Sequence, residues 1–338
     1  MQLLVTPDST TLNYWLNWRV LLCAIWVFTP VLVSLFVIWK YEDLDNLRSC
    51  RRKTQQEVDH SLYEDRAWRP CLVQIHPIWL LTYRAIAFSV LLASLISKVS
   101  TNGFGMFYYY TQWTFTSVTI YFGFGLLLSI CGCYRYHNMD KAVSHIHDVV
   151  GDHAEQGYFV PLTYDERTNI PSVRKSSNTE EGFYDFQAAS ISSYLFQVLF
   201  QMNAGAVMLT DCVYWAIIFP FLTIRDYNLN FMTVNMHSLN VIVLLGDAAL
   251  NCLPFPWFRM SYFILWTGSF VILQWIFHAC VSIWWPYPFL DLSSPFAPLW
   301  YLMIGLMHLP CYGFFALIIK MKHSILSKWF PESYRCLR

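Results

Sequence analysis

Thr111 and His237 are a hydroxyl and an imidazole in apolar runs, side-chain types that can form a nucleophile–base pair without a cofactor or metal. A hydroxyl becomes a nucleophile when a neutral imidazole takes its proton, and the imidazole later returns that proton to the departing alkoxide. Both residues stand in strongly apolar surroundings. A polar group there is costly unless it faces a bundle interior or a wet cavity. Other polar residues share that background. Asp211 and His278 are candidates to orient the base or bind a substrate, and Asn235, Asn240 and Gln201 are candidates to donate to an oxyanion.

The stretch Thr233–Asn251, TVNMHSLNVIVLLGDAALN, carries His237, Asn240, Asp247 and Asn251 at spacings that share one face of a helix. Arg84 lies in a separate apolar run. By rise per residue, both it and Asp247 fall inside the hydrocarbon, above the inner ends of their segments. A lone charge at that depth costs several kcal/mol, so a structural Arg84–Asp247 ion pair is expected. The alternative is an Arg84 that reaches alone to the interface. The upper residues also have two readings. A threonine in a membrane helix commonly bonds its own i−4 carbonyl, and an intramembrane histidine commonly links helices. A polar bundle core therefore stands beside the nucleophile–base reading.

The elements that must position these residues are membrane spans. Of 338 residues, 56% are hydrophobic and only 13% are charged, against about a quarter charged in soluble proteins. The net charge is zero, and no nucleotide-binding or zinc-finger pattern is present, so no nucleic-acid partner is expected. Apolar runs long enough to cross ~30 Å of hydrocarbon lie near 18–39, 78–98, 108–133, 192–220, 235–253, 259–284 and 297–320. The predicted fold is an all-α, polytopic transmembrane helical bundle of about seven spans, a single membrane domain over 1–338. The first apolar run is too long for a cleaved leader and is expected to remain as a span.

Lys and Arg set the orientation. In a seven-span arrangement only Arg19, Lys98 and Arg225 fall on one side and Arg84 lies inside a span, while all other basic residues fall opposite. The N-terminus is therefore expected outside or in the lumen and the C-terminus in the cytosol. Loops 40–77 and 134–191 become cytosolic, the second partly mobile. His137, His145, His147 and His153 near its start read as a solvated loop, with a metal site as the lesser alternative. The ten cysteines are expected to be reduced, since none falls in an outside loop. At 1.5 Å of rise per residue, Thr111, Asp211, His237 and His278 share one layer near the outer leaflet. Aromatic residues flank that layer: Phe107, Tyr108, Tyr109, Tyr110, Trp113, Trp284, Trp285 and Tyr287. They suit headgroup anchors and would equally suit a lipid entrance.

Three motifs in order carry a resemblance. Gly105–Gly123, GMFYYYTQWTFTSVTIYFG, is an aromatic run that leads to a Thr and closes in Phe-Gly. Met236-His237 is followed ten residues on by Asp247. Trp275 and His278 then precede Trp285-Pro286-Tyr287-Pro288-Phe289-Leu290-Asp291. In these respects the chain resembles the androgen-induced and androgen-dependent integral membrane hydrolases, over a little more than half its length. It shares the general layout, with an added first span, of the rolling stone proteins. That family's Asn-His-Gly-Met-His-Thr-Thr is here Thr233-Val234-Asn235-Met236-His237-Ser238-Leu239. The resemblance implies hydrolysis of fatty-acid esters of hydroxy fatty acids, with Thr111 as nucleophile and His237 as base. It also implies a membrane lipid as substrate and residence in the endoplasmic reticulum or plasma membrane. The rolling stone branch supplies the alternative of a non-catalytic multi-span protein, whether transporter, receptor-like protein or interaction scaffold. No protein partner is indicated.

Overall fold

The computed structural model describes residues 8–52, 66–155, 179–222 and 231–336. Helices account for the regular structure among them, and the isolated bridge between Leu72 and Tyr334 is the extended pairing. The long helices are α1 (Trp18–Arg52), α2 (Pro77–Asn102), α3 (Tyr110–Glu155), α4 (Thr179–Val213), α5 (Leu239–Leu250), α6 (Met260–Cys280) and α7 (Ala297–Trp329). Five segments are long and apolar enough to cross a membrane: Trp18–Glu42, Pro77–Asn102, Tyr110–Asn138, Trp257–Cys280 and Ala297–Trp329. Their outward faces carry exposed apolar residues such as Leu21, Leu32, Phe36, Ile86, Leu127 and Leu309, which water would not tolerate as a continuous surface. The chain is an integral, multi-pass, all-helical membrane protein.

Local chemistry sets the ends of α2. His76 Nδ1 accepts from the Ile78 amide at 3.2 Å, and Pro77 occupies the first turn, where its missing N–H is not needed. The helix stops at Gly103, whose φ of 65° is available cheaply only to glycine.

Two apolar clusters share α4. One gathers α2, α3 and α5 around Phe115, Tyr121, Phe122 and Leu244, and takes Phe196 and Phe200 from α4. The other gathers α1, α6 and α7 around Cys23, Phe263, Phe270 and Tyr312, and takes Ala206 and Leu209 from α4. Helix α4 is thus the central post, buried without interruption from Phe200 to Val207. A helix wrapped by protein on every face does not meet lipid, and α4 can carry Gln197, Gln201, Asn203 and Asp211. A Cβ on Gly205 would collide with the Phe263 ring, so glycine permits the close approach of α4 to α6.

Several expectations change. Helix α3 continues to Glu155 and α4 begins at Thr179, so both ends of the expected loop 134–191 are helical. Residues 156–178, where mobility was expected, lie outside the described residues, as do the side chains of His145, His147 and His153. Helix α1 likewise runs to Arg52, well into the expected loop 40–77. Helix propensity does not end at the membrane surface, and polar residues continue a helix into water. The stretch 233–251 is not one helix. Phe231–Met236 is a short helix, His237 and Ser238 form a turn, and α5 starts at Leu239. Asn240 and Asp247 do share a buried side of α5, but His237 is outside it.

The cysteines are not all reduced. Cys252 and Cys336 form a disulfide across 84 residues of sequence, with Cα atoms 5.2 Å apart. The C-terminal segment folds back along residues 71–73, where Val73 N donates to Ser333 O at 2.9 Å and Arg335 N to Cys71 O at 3.0 Å. That return brings Cys336 to Cys252, a proximity no local spacing announces.

Candidate active site

A buried polar network fixes the half of the molecule that carries α5. Arg84 Nε donates to Asp247 Oδ1 at 2.8 Å, and both side chains are fully buried. Arg84 Nη1 also donates to Ala67 O at 2.7 Å, Ser129 Oγ at 2.8 Å and Gly125 O at 3.3 Å. Asp247 Oδ2 accepts from Tyr121 at 2.5 Å and from Asn251 Nδ2 at 2.8 Å. Lys322 of α7 donates to the carbonyls of Ala248 and Asn251. Satisfying every arm of both ions offsets their desolvation, and the network joins α2, α3, α5 and α7.

On the other side of α4, Arg259 Nε pairs with Glu42 at 3.1 Å. Its Nη1 donates to Gln197 and Gln201 at 3.2 and 3.3 Å. Gln201 also donates to Pro254 O at 2.5 Å. Gln201 is therefore committed to this second network and does not line the cavity described next.

That cavity, of about 60 Å³, lies where α3, α4, α6, the turn before α5 and the 287–290 segment meet. A single water needs roughly 10–15 Å³ of such space, so the cavity has room for several waters or for the reacting part of a ligand. Thr111 and His237 both line it, together with Tyr110, Thr210, Tyr214 and Tyr287. Thr111 sits in the first turn of α3, and its Oγ1 is 3.5 Å from the Tyr287 hydroxyl. Burial pushes the Tyr287 phenol up to about 12, which keeps it a neutral hydrogen-bond donor.

The turn that interrupts 233–251 presents His237. Its amide donates to Val234 O at 3.2 Å, and Trp215 Nε1 donates to its carbonyl at 3.1 Å. Its ring lies flat on Tyr214, with centroids 3.6 Å apart and planes within 5°. Tyr214 opens a π-helical turn, Tyr214–Ile218, at the end of α4. Such turns re-aim side chains and often border functional sites. Here Tyr214 and Ile218 both face the cavity. The His237 Nδ1 has no hydrogen-bond partner among the described residues.

Thr111 and His237 are not directly hydrogen-bonded among the described residues. Catalytic hydrogen bonds are often long without substrate and tighten once it binds. Thr111, His237 and Tyr287 thus line one cavity, although the surface turned toward it is almost wholly apolar. A hydroxyl, an imidazole and a phenol are side-chain types that acyl transfer to a hydroxyl uses.

The remaining candidates stand apart from the cavity. His278 is held by Tyr108 at 3.1 Å and by Gln274 O at 2.7 Å, and it stacks on Trp285 with centroids 3.5 Å apart. It locks the segment before α3 against the end of α6. Asn235 donates to Ser94 Oγ at 3.1 Å, tying the turn to α2. Asn240 donates to Met236 O at 3.3 Å and leaves its Oδ1 without a partner among the described residues. Asp211 is buried, with neither carboxylate oxygen partnered among the described residues, and is absent from the cavity lining. The expected layer of Thr111, Asp211, His237 and His278 is thus brought together only in its Thr111–His237 part.

Tyr287, Tyr214 and Tyr110 were not foreseen as site residues. Tyr287 belongs to the Trp-Pro-Tyr-Pro motif, whose aromatics read as membrane anchors. Its position between two prolines was the available signal that the ring is fixed rather than floating. Tyr110, beside Thr111, is held by a 2.8 Å hydrogen bond to Thr267 of α6. Among the described residues no cluster of three or more His, Cys, Asp or Glu could hold a metal ion.

The chain matches no family model, no curated protein and no solved structure.

Proposed function

We propose that the protein is a membrane hydrolase of lipid esters, of the type that joins a fatty acid to a hydroxy fatty acid. Thr111 is its nucleophile and His237 its base. The observation that carries the reading is the presence of both side chains in one buried, largely apolar cavity with the Tyr287 hydroxyl beside Thr111. In the first step His237 takes the Thr111 proton as Oγ1 attacks the ester carbonyl. The tetrahedral intermediate collapses to a threonyl ester as His237 protonates the departing alkoxide. Water, deprotonated by His237, then releases the fatty acid and restores Thr111. Tyr287, whose hydroxyl is 3.5 Å from Thr111 Oγ1, is the proposed donor to the oxyanion, a role worth about 10²–10³ in rate where such donors have been removed.

The proposed topology has seven crossings, with α4 and the broken helix Phe231–Leu250 added to the five apolar segments, and the N-terminus outside. The Lys and Arg distribution supports it. A helix interrupted at membrane depth is tolerated where it lines a cavity, as the His237 turn does. The proposed residence is the endoplasmic reticulum or plasma membrane, with a lipid substrate entering sideways between helices.

The test is labelling of purified protein with a fluorophosphonate probe, alongside release of fatty acid from a branched fatty-acid ester. Wild type is expected to label and hydrolyse, and Thr111→Ala and His237→Ala to do neither while eluting as folded protein. A folded wild type that does neither returns the chain to the non-catalytic class.

A further inference from the structure

His278 is a buried titratable group that the proposed reaction leaves unused. It stands in the last turn of α6, and three stretches of chain converge on it. Its ring stacks on Trp285 with planes within 8°. Tyr108, three residues before Thr111, brings its hydroxyl to the ring. Ser9 Oγ donates to the His278 carbonyl at 2.8 Å.

The cluster holds more acceptors than a neutral ring can serve. Nδ1 lies 2.7 Å from Gln274 O, and Nε2 lies 3.1 Å from the Tyr108 hydroxyl, which donates to Trp284 O at 2.6 Å. Carbonyl oxygens only accept. Nδ1 therefore needs a hydrogen for Gln274 O, and the single phenol hydrogen lies in the short bond to Trp284 O. The Tyr108 oxygen is left as an acceptor facing Nε2, and the Trp284 carbonyl also bonds the ring. A neutral imidazole has one N–H and serves one side at a time, whereas the imidazolium has two and serves both.

A buried charge is costly unless it is surrounded by compensating groups, and here they are present. Trp285 offers its π-face, the last turn of a helix carries partial negative charge, and the Asp291 carboxylate is within electrostatic reach of the ring. Other ionisable groups on the elements packed here are Tyr109, which meets Trp284, and Tyr14, which bonds Asp291 and Trp285. Arg19 of α1 donates to Ser293 O at 3.0 Å. Hydrogen bonds from Thr10 hold Asp8 below the usual carboxylate range.

The segments fastened in this way lead into the Thr111 cavity. Residues 104–108 run on to Tyr110 and Thr111, and Trp284-Trp285 runs on to Tyr287. Gln274 Nε2 also donates to Tyr108 O at 3.1 Å, a tie that does not change with the proton on His278.

We propose that His278 is a positioning residue whose imidazolium fastens Tyr108 to Trp284 and thereby sets Thr111 against Tyr287. The extra bond is present when the ring is charged and is lost as pH rises through its titration. The fastening stands without hydrolysis, while its effect on rate rests on the hydrolase reading.

The test uses the full chain in lipid nanodiscs between about pH 5 and pH 8. Nitrogen-15 NMR of histidine-labelled protein, with His278 identified as the signal lost in His278→Phe, is expected to show two ring hydrogens at the acid end and one at the alkaline end. Hydrogen exchange over 104–109 and 282–288, corrected for the base-catalysed chemical rate, is expected to slow about tenfold on acidification, the worth of one hydrogen bond. His278→Phe keeps an aromatic ring against Trp285 and is expected to abolish that slowing. Tyr108→Phe is expected to lose it over 104–109. If esters are cleaved, the kcat ratio of wild type to Tyr108→Phe is expected to rise as pH falls. A single ring hydrogen at the acid end overturns the proposal. So does corrected wild-type exchange that ignores pH, undiminished slowing in folded His278→Phe, or a flat kcat ratio. If the ring and the exchange respond but no ester is cleaved, the fastening stands and the hydrolase reading falls. The wild-type exchange comparison needs no variant, so it decides even where a substitution misfolds.

Discussion

Asp247→Asn probes how much of the bundle hangs on one carboxylate. The substitution keeps the side-chain shape and removes its charge. Arg84, fully buried, would retain only neutral partners in Ala67 O, Gly125 O and Ser129 Oγ. Stranding one member of a buried ion pair costs about 3–5 kcal/mol. Tyr121 and Asn251 both donate to Asp247 Oδ2, and an amide in its place cannot accept from every donor that now converges there. One lost bond adds about 1 kcal/mol. The sum, about 4–6 kcal/mol, is a large share of the roughly 5–15 kcal/mol that folded domains possess. At about 2–4 °C per kcal/mol, the melting temperature is expected to fall by about 10 °C or more. The assay is size-exclusion chromatography of detergent-solubilised protein after heating, read by tryptophan fluorescence. Arg84→Met in the Asp247→Asn background removes the stranded cation and is expected to recover a substantial part of the loss, although it is destabilising on its own. A melting temperature for Asp247→Asn within about 2 °C of wild type would refute the reasoning. So would an Arg84→Met effect of equal size and sign in both backgrounds, because coupled neighbours are not additive.

Other expectations are narrower. Tyr287→Phe is expected to leave the melting temperature nearly unchanged and to cut ester hydrolysis by about 10²–10³ in turnover; an unchanged rate removes Tyr287 from the reaction. Because burial holds the Tyr287 phenol up to about 12, above the ordinary value of about 10, the stability it contributes is present below pH 10 and is lost as pH rises toward 12. Tyr287→Phe should make the alkaline decline in stability shallower across that window, as measured by tryptophan fluorescence. Glu42→Gln takes the carboxylate from the buried Arg259, with an expected cost of about 1–3 kcal/mol in the same heating assay. The Cys252–Cys336 bond faces the cytosol in the proposed topology, where reducing conditions open disulfides. Maleimide–polyethylene glycol added to intact cells before lysis should then shift the chain only after plasma-membrane permeabilisation, and the shift should be smaller in Cys252→Ser/Cys336→Ser. Protection of both thiols until reductant is added would instead place this face in an oxidising compartment.

Much of the architecture is legible in one dimension. Hydropathy marks five membrane-length helices, because burial in lipid demands long apolar runs and satisfied backbones. The cost of an isolated ion at depth points from Arg84 to Asp247 before any packing is known. Helix α4 is harder, since Gln197, Gln201 and Asp211 depress its hydropathy. The packing of α3, α5, α6 and α7 around it shows why, because a central helix answers to protein rather than to lipid. The helical continuations of α1 and α3 were hidden for the opposite reason: charge marks the membrane boundary but does not break a helix.

The candidate site divides along the same line. From the sequence alone come a hydroxyl at Thr111 and an imidazole at His237, each in an apolar run and at similar depth. Tertiary structure decides that both line one cavity, that Tyr287 rather than His278 stands beside Thr111, and that a turn rather than a helix presents His237. It also sends Gln201 to Arg259 and joins Cys252 to Cys336. Periodicity and hydropathy are local properties that report which face of a segment must be hidden. The meeting of side chains from α3, α4, α6, the His237 turn and the 287–290 segment depends on how those hidden faces pack together, and that information is held in no single stretch of the chain.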